Sequence, residues 1–162
     1  MELEFRQAVR EDIPAITALI QKRIDWMDNN GIHQWNETKY LEVYDRAYFE
    51  KNISCFYLAY DAGALVGLEA LYETDPRWPD GLRAIYVHHL TSAENGRGIG
   101  TALLKFAERE ALERGIDLMR LDSDRDNTRL EAYYTALGYE EKDSFTEGLY
   151  HGTRREKYLS PA

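Results

Sequence analysis

Three glycines at alternate positions, Gly96, Gly98 and Gly100, stand between a strand-like run at 84–90 and an amphipathic helical pattern. Glycine has no Cβ, so a backbone that contains it can turn tightly and come close to a ligand. The beginning of a helix adds N–H groups without intrahelical partners and the positive end of the helix dipole. This combination predicts an anion-binding site, most often one for phosphate.

Two familiar phosphate-binding motifs do not fit this stretch. A P-loop requires a lysine directly before its serine or threonine, whereas Gly100 stands before Thr101. The dinucleotide fingerprint spaces its glycines as G-x-G-x-x-G, whereas these run G-x-G-x-G. A glycine-rich turn that only joins a strand to a helix remains the alternative interpretation.

The stretch resembles the acetyl-coenzyme A (acetyl-CoA) loop of the GNAT superfamily of N-acetyltransferases, written Gln/Arg-x-x-Gly-x-Gly/Ala. Asn95, Gly98 and Gly100 fall on the motif positions, and Asn95 departs from the usual Gln or Arg. The resemblance implies that backbone amides of the loop bind pyrophosphate, while Arg97 either pairs with a phosphate or faces solvent. The cofactor-binding residues that the resemblance implies are Leu90, Asn95, Gly96, Arg97, Gly98, Ile99, Gly100, Thr101, Asn127 and Tyr134.

A second signature follows beyond the next strand. Residues 127–139 resemble the GNAT pattern Asn-x-x-Ala-x-x-Phe-Tyr-x-x-x-Gly-Phe; Asn127, Tyr134 and Gly138 match it, and Leu130 replaces the small residue. The resemblance implies that Tyr134 protonates the departing thiolate, since a phenol with a reference pKa of about 10 stays protonated at neutral pH. On its own, the segment would be a capped helix that ends in glycine, with Tyr134 as a packed aromatic residue.

Transfer of an acetyl group from a thioester to an amine needs a base for the amine, an N–H for the carbonyl oxygen, and a route for the sulfur to leave. The resemblance implies that a backbone amide near Leu90 meets the carbonyl. His88 and His89 are candidate bases because they titrate in the useful range, but strand alternation places them on opposite faces. Ala84 stands where some relatives carry a glutamate. The open alternatives as bases are therefore ordered water, Glu69, Glu73 and Tyr86.

The predicted acceptor is a small amine or a peptide amine. The segment 31–35 resembles a stretch that follows the first helix in one group of bacterial GNAT proteins, where the fold borders the acceptor. His33, Trp35 and Glu69 are therefore the candidate substrate-binding residues. The alternative is that Trp35 packs over the edge of the core and that His33 is solvated.

The hydrophobic pattern predicts a mixed sheet covered by helices. Alternating or apolar runs predict strands at 3–8, 56–60, 65–72, 84–90, 116–122, 139–141 and 155–159. Helical spacing, with Asp12 as a cap, predicts a helix up to position 29, and further helices at 37–51, from the glycine loop to 114, and at 128–137. This order matches the GNAT fold, an α/β fold with a central sheet of about six to seven strands flanked by about four helices, and predicts a single domain over 1–162.

The composition narrows the class of protein. The chain has 162 residues and a formal net charge of −9, which argues against nucleic-acid binding because that requires clustered positive charge. Its single cysteine excludes an internal disulfide. No apolar run approaches the length of about 18 residues that a membrane span needs, and the N-terminus lacks the features of a secretory signal. We therefore expect a cytoplasmic protein without membrane attachment, and we expect no metal site.

The leading prediction is an acetyl-CoA-dependent N-acetyltransferase that transfers the acetyl group directly in a ternary complex, without a covalent enzyme intermediate. Exposed edges of the last strands favour a homodimer. The alternative is a non-catalytic acyl-CoA-binding sensor or regulatory module, which would keep the glycine loop but would need neither Tyr134 nor a base. A scaffold that binds no coenzyme would make the glycine spacing accidental.

Overall fold

A computed structural model of the chain describes residues 2–32, 36 and 39–160. Its strands are β1 (Glu4–Gln7), β2 (Phe56–Asp61), β3 (Ala64–Tyr72), β4 (Ile85–Ser92), β5 (Leu118–Asp124), β6 (Glu140–Glu147) and β7 (Tyr150–Tyr158). The α-helices of the described ranges are α1 (Ile13–Asn29), α2 (Tyr40–Val43), α3 (Arg46–Asn52), α4 (Ile99–Glu113) and α5 (Thr128–Ala136).

The strands form one mixed sheet in the order β1-β2-β3-β4-β5-β7-β6. β4 and β5 run parallel, with Ile85 opposite Met119, whereas β1–β2, β2–β3, β5–β7 and β6–β7 are antiparallel. A strand that leads through α4 to a parallel neighbour is a βαβ unit, which places the glycine loop at the carboxyl end of β4. The predicted α/β fold with a mixed central sheet is confirmed.

The predicted helix at 37–51 is wrong as a single element. In the described part of this segment, α2 ends at Val43 and α3 begins at Arg46. Asp45 between them has extended backbone, and its carboxylate accepts a hydrogen bond from the Tyr48 N–H at 3.0 Å. The short polar side chain therefore starts a new helix here, as an N-cap does.

Asp12 does not cap α1. Its own backbone is helical, and its carboxylate instead accepts hydrogen bonds from the Val9 N–H at 2.8 Å and from the Arg6 guanidinium at 2.7 and 2.8 Å. These contacts belong to a short 3-10 turn at Arg10–Asp12 that precedes α1. The predicted beginning of the helix is correct, but the carboxylate serves the turn before it.

The last two strands are much longer than the predicted 139–141 and 155–159. β6 and β7 form a hairpin around Gly148, whose φ of 60° lies in the left-handed region. Nearly every side chain of β6 is exposed, because this strand is the last in the sheet order. An edge strand of this kind carries charged residues on both faces and therefore shows no apolar alternation.

The chain divides into two compact units, the first made of Met1–Ala70 and His89–Leu104 and the second of Leu71–His88 and Lys105–Ala162. The first has a core cluster of Ala59, Val66, Ile99 and Leu103. The second has one of Trp78, Ala84, Tyr86 and Leu118. No helix in the described ranges combines the length and the apolar character that a bilayer crossing requires.

Candidate functional site

The glycine loop ends directly in α4, as the sequence predicts. Gly96 and Gly98 adopt positive φ values of 79° and 74°, a conformation that costs a residue with a Cβ about 1–2 kcal/mol. The Ala102 N–H donates to the Gly98 carbonyl at 3.0 Å, so the amides of Ile99 and Gly100 precede the first helical hydrogen bond. These amides and the positive end of the helix dipole are suited to an anion.

Close packing holds this loop against β3. A Cβ on Gly67 would lie 2.8 Å from Ile99 Cγ2 and 3.0 Å from Leu103 Cδ1, so α4 rests directly on the strand backbone. Ile99 itself is 1 % exposed, which assigns its side chain to the core while its backbone opens the helix. The Ala93 N–H, just before the loop, donates to the Val66 carbonyl at 2.8 Å. Both ends of the loop are therefore anchored.

Arg97 forms ion pairs within the protein. Its guanidinium donates a hydrogen bond to Asp61 in the β2–β3 turn and lies 3.6 Å from the Glu94 carboxylate. Two carboxylates beside one guanidinium leave this part of the loop without excess positive charge. The predicted pairing of Arg97 with a phosphate would require it to exchange these partners.

Asn95 is contacted from α1. The Arg23 Nη2 donates to Asn95 Oδ1 at 2.7 Å, and the guanidinium lies over the Trp26 ring, 4.2 Å from its centroid. Partial burial lowers the pKa of Arg23 from its usual value. Sequence reasoning missed this residue, since 72 positions separate it from Asn95 and no local pattern connects them.

His89 has a φ of 58°, which is uncommon for a residue with a side chain and interrupts the regular alternation of β4. Its Nε2 pairs with the Tyr48 hydroxyl at 2.8 Å, and its Nδ1 pairs with the Tyr40 hydroxyl. The ring also stacks on Phe56 at 5.4 Å and meets the Tyr44 ring edge-on at 4.6 Å. Both ring nitrogens of His89 are thus engaged by α2 and α3.

His88 contacts a different set of residues. Its Nε2 lies 2.9 Å from Asp75 Oδ2, and its ring meets Tyr72 edge-on at 5.4 Å. The Asp75 side chain is 6 % exposed; burial acts to raise its pKa, but the hydrogen bond with His88 and others outweigh this and lower it. A histidine held by a buried carboxylate is the arrangement of a general base with its orienting group. A carboxylate in the loop before the histidine strand was the signal in the sequence that could have indicated Asp75.

Glu69 on β3 is fully buried. Neither carboxyl oxygen has a hydrogen-bond partner among the residues that the structure describes. Burial raises the pKa of Glu69 well above its usual range, so the neutral acid is the favoured form. A buried polar group without a partner is costly, and such groups are candidates for a role outside folding.

Tyr134 lies on α5 with 7 % of its surface exposed. Burial first, and then the neighbouring Tyr133 and Asp122, raise its pKa above the usual range, which keeps the phenol protonated. Its hydroxyl forms no hydrogen bond to another described residue. A hydroxyl without a partner among the described residues can donate a hydrogen bond to a ligand.

The position of α5 is fixed by polar contacts. The Asn127 side chain accepts from the Leu130 N–H at 3.0 Å, which confirms its predicted role as a helix cap. The Glu131 carboxylate accepts from Ser123 at 2.6 Å, from Thr153 at 3.0 Å and from Arg155 at 2.8 Å. These contacts join α5, the helix that carries Tyr134, to β5 and β7.

The first unit thus contains the glycine loop, Leu90, Glu69 and His89, whereas the second contains His88 and Tyr134. The candidate acceptor residues His33 and Trp35 lie outside the described residues. Within the described ranges, no group of three or more His, Cys, Asp or Glu side chains is arranged to hold a metal ion.

The chain matches the sequence pattern described as the acetyltransferase (GNAT) family over residues 22–139. It is 28% identical over 158 residues to the uncharacterized N-acetyltransferase YesJ of Bacillus subtilis strain 168, covering 92% of this chain and 87% of that protein. The identity extends over almost the whole length of both chains, so the likeness is not restricted to the two motifs.

Solved structures share the fold at lower identity. The PaiA N-acetyltransferase of Thermoplasma acidophilum, in complex with coenzyme A, superposes with a TM-score of 0.77 and 22% identity, covering 98% of this chain and 100% of that one. A GNAT-family acetyltransferase of Listeria monocytogenes gives a TM-score of 0.80 and 24% identity, covering 98% and 96%.

Proposed function

Because the chain belongs to the acetyltransferase (GNAT) family, we propose that it transfers an acetyl group from acetyl-CoA to a primary amine. The observation that carries this proposal is the pair of left-handed glycines, Gly96 and Gly98, at the beginning of α4. Backbone amides of a glycine loop before a helix are suited to donate hydrogen bonds to a pyrophosphate. In the proposal, Leu90, Asn95, Gly100, Thr101 and Asn127 complete the contacts to the cofactor.

The proposed reaction forms one N–C bond and breaks one C–S bond. His88, held by Asp75, takes the proton that the bound ammonium must lose before the neutral amine can attack, and the backbone amide of Leu90 donates to the carbonyl oxygen as it gains negative charge. The second proton leaves the nitrogen after the N–C bond has formed and replaces the one that Tyr134 donates. Tyr134 gives its proton to the departing sulfur and recovers one afterwards. The products are the N-acetylated amine and free coenzyme A, and no protein side chain is acetylated along the way.

The contacts of the two histidines favour His88 over His89 as the base. Both nitrogens of His89 pair with tyrosine hydroxyls, so this ring links β4 to α2 and α3. His88 instead pairs with the buried carboxylate of Asp75, which can orient the ring. We assign His89 a positioning role for the strand that carries the Leu90 amide.

Glu69 is the proposed anchor for the acceptor. An ammonium group that reached it would supply the hydrogen bonds that both carboxyl oxygens lack and would favour the ionised acid. This choice points to a cationic acceptor, either a small amine or a peptide amine, bound together with acetyl-CoA in a ternary complex. His33 and Trp35 stay predicted members of the acceptor pocket, and a homodimer stays part of the proposal.

The first experiment is thermal unfolding with and without acetyl-CoA, with NADH and ATP as controls. A ligand that binds only the folded state must raise the midpoint, so we expect a rise of several degrees with acetyl-CoA alone. Equal shifts with ATP would indicate a general phosphate site. No shift at millimolar acetyl-CoA would overturn the proposal. A rise without turnover of any amine in a broad library would favour an acyl-CoA-binding sensor, which needs the loop but no base.

A further inference from the structure

Arg23 differs from Arg97, the cation within the glycine loop, in its partners. It emerges from α1 and is half-buried, with its guanidinium over the Trp26 ring and one donor bonded to Asn95. No described carboxylate forms an ion pair with it, although the chain carries 29 acidic residues. The lowering of its pKa is caused by burial, with no anion to offset it.

A half-buried guanidinium without a carboxylate partner is unfavourable unless a ligand completes the site. Arg97, the cation within the loop, has that need met by Asp61 and Glu94. Arg23 has five N–H donors in a planar fork, and Asn95 is the described partner for one of them. The remaining donors match the geometry of phosphate oxygens.

The location of Arg23 agrees with the departure at Asn95. The motif that residues 95–100 resemble begins with Gln or Arg, both long side chains with N–H donors, whereas Asn95 is short and uses its oxygen to accept from Arg23. A long side chain with N–H donors is therefore present beside Asn95, but it is that of Arg23 and comes from α1. Trp26 limits the freedom of the guanidinium, so little conformational entropy is lost when it binds.

We propose that Arg23 is a ligand of the pyrophosphate of acetyl-CoA, supplied by α1 to compensate for the short side chain of Asn95. This inference rests on the proposed function and extends it, because it names the cation that the cofactor uses. In this arrangement Arg97 keeps its ion pairs with Asp61 and Glu94 while the cofactor is bound.

The test is calorimetric titration of acetyl-CoA into the wild-type protein, Arg23→Gln and Arg23→Lys. Loss of one or two charge-assisted hydrogen bonds predicts a Kd about 10- to 100-fold higher for Arg23→Gln, with Arg23→Lys between it and the wild type. The effect on dephospho-CoA should be equal, since that molecule keeps the pyrophosphate. With acetyl-pantetheine, which lacks it, the KM of Arg23→Gln should equal that of the wild type.

The matched control is Lys22→Gln, which removes the same charge from the adjacent, exposed position of α1. Its Kd should stay within about twofold of the wild type, because an exposed charge outside contact distance is screened by salt. Equal affinity of Arg23→Gln and wild type would overturn the inference. So would an equal loss with acetyl-pantetheine, which would indicate a merely structural role. If the wild type itself binds no acetyl-CoA, the proposed function fails before the variants are compared.

Discussion

The Arg120 guanidinium donates to both carboxylate oxygens of Asp80, from Nη1 and Nη2, at 2.7 Å each. The Arg120 side chain is fully buried, lies 4.3 Å from the centroid of Trp78, and also donates from Nε to Glu156 at 3.0 Å. The buried cation of Arg120 on β5 thereby anchors the loop before β4 through Asp80. The Trp78 ring packs against this ion-pair site.

Asp80→Asn should destabilise the protein in a pH-dependent manner. The hydrogen bond from Arg120 is the main cause that holds the pKa of Asp80 well below its usual range. A carboxyl with a lowered pKa contributes stability above its unfolded value of about 3.9, and this contribution is lost as pH falls through the folded value. Since Glu156 remains, we expect a loss of about 2–3 kcal/mol in the free energy of unfolding at neutral pH.

Urea unfolding across a pH series measures this loss, and the difference between Asp80→Asn and wild type should shrink below about pH 4. Glu147→Gln is the control, because Glu147 forms an exposed ion pair with Arg77. The Arg77 side chain is 41% exposed and that of Glu147 58%, so the pair should stabilise the folded state by less than about 0.5 kcal/mol. A difference that stays constant at every pH would contradict the assignment to an ion pair.

Gly98→Ala should weaken acetyl-CoA binding beyond its cost in stability. A Cβ at Gly98 meets nothing within 4 Å, so its penalty is the left-handed backbone alone, about 1–2 kcal/mol. Gly148→Ala is matched, with a φ of 60° and equally open surroundings in the β6–β7 turn. Both variants should lower the melting temperature similarly, but only Gly98→Ala should raise the Kd for acetyl-CoA. Equal affinities in calorimetry would disconnect the loop from the cofactor.

Tyr134→Phe separates an enzyme from a binding module. If Tyr134 protonates the leaving sulfur, kcat should fall about 100-fold while the Kd for acetyl-CoA stays unchanged. Because its pKa is raised, wild-type kcat should show no decline from ionisation of Tyr134 up to about pH 10. Tyr133→Phe, on the same helix, controls for loss of a hydroxyl. Unchanged turnover of Tyr134→Phe would remove the acid role.

His88→Gln and His89→Gln should fail in different ways. Loss of the base predicts a fall of about 100- to 1,000-fold in kcat/KM for His88→Gln, with little change in melting temperature. His89→Gln removes the ring between Tyr40 and Tyr48, so its larger effect should be a lower melting temperature. Steady-state kinetics and thermal unfolding of both variants provide the comparison. The reverse pattern would transfer the catalytic role to His89.

Glu69→Gln should change how stability depends on pH. An acid whose folded pKa is raised loses stability as pH rises from its unfolded value towards the folded one, by up to about 1.4 kcal/mol per pH unit. The variant lacks this slope and should be more stable than wild type at neutral pH. The KM of Glu69→Gln for the acceptor should rise, whereas its Kd for acetyl-CoA should stay unchanged. Urea unfolding between about pH 5 and pH 8 records the slope, and the exposed Glu113→Gln should keep it.

The sequence was most informative where one local cause determines the structure. Gly96 and Gly98 predict left-handed backbone directly, and Asn127 predicts the beginning of α5. Both predictions succeed because the conformational freedom of glycine and helix capping act within a few residues. The break between α2 and α3 was missed, since Tyr44 and Tyr48 continue a helical stripe across the cap at Asp45. Apolar spacing is insensitive to a short break that preserves the buried face.

Contacts between distant segments were beyond the sequence. Arg23 and Asn95 are 72 positions apart, and no local sequence pattern in either segment indicates a contact with the other. His88 was a candidate from its type and strand, but its partner Asp75 became evident only when the loop was folded back onto β4. The composition of β6 similarly hid its length, because polar edge strands lack the alternation on which strand prediction relies.

The composition of β6 has a consequence for how copies of this protein meet. The strand Glu140–Glu147 ends the sheet order, so its outer edge offers backbone groups to any passing strand. If two such edges paired, acidic side chains of one strand could lie opposite acidic side chains of the other, and like charges directly opposite repel. These residues are Glu140, Glu141, Asp143 and Glu147. These charged side chains therefore disfavour the open-ended stacking of sheets that produces fibres. The same residues make the strand resemble a loop in the sequence.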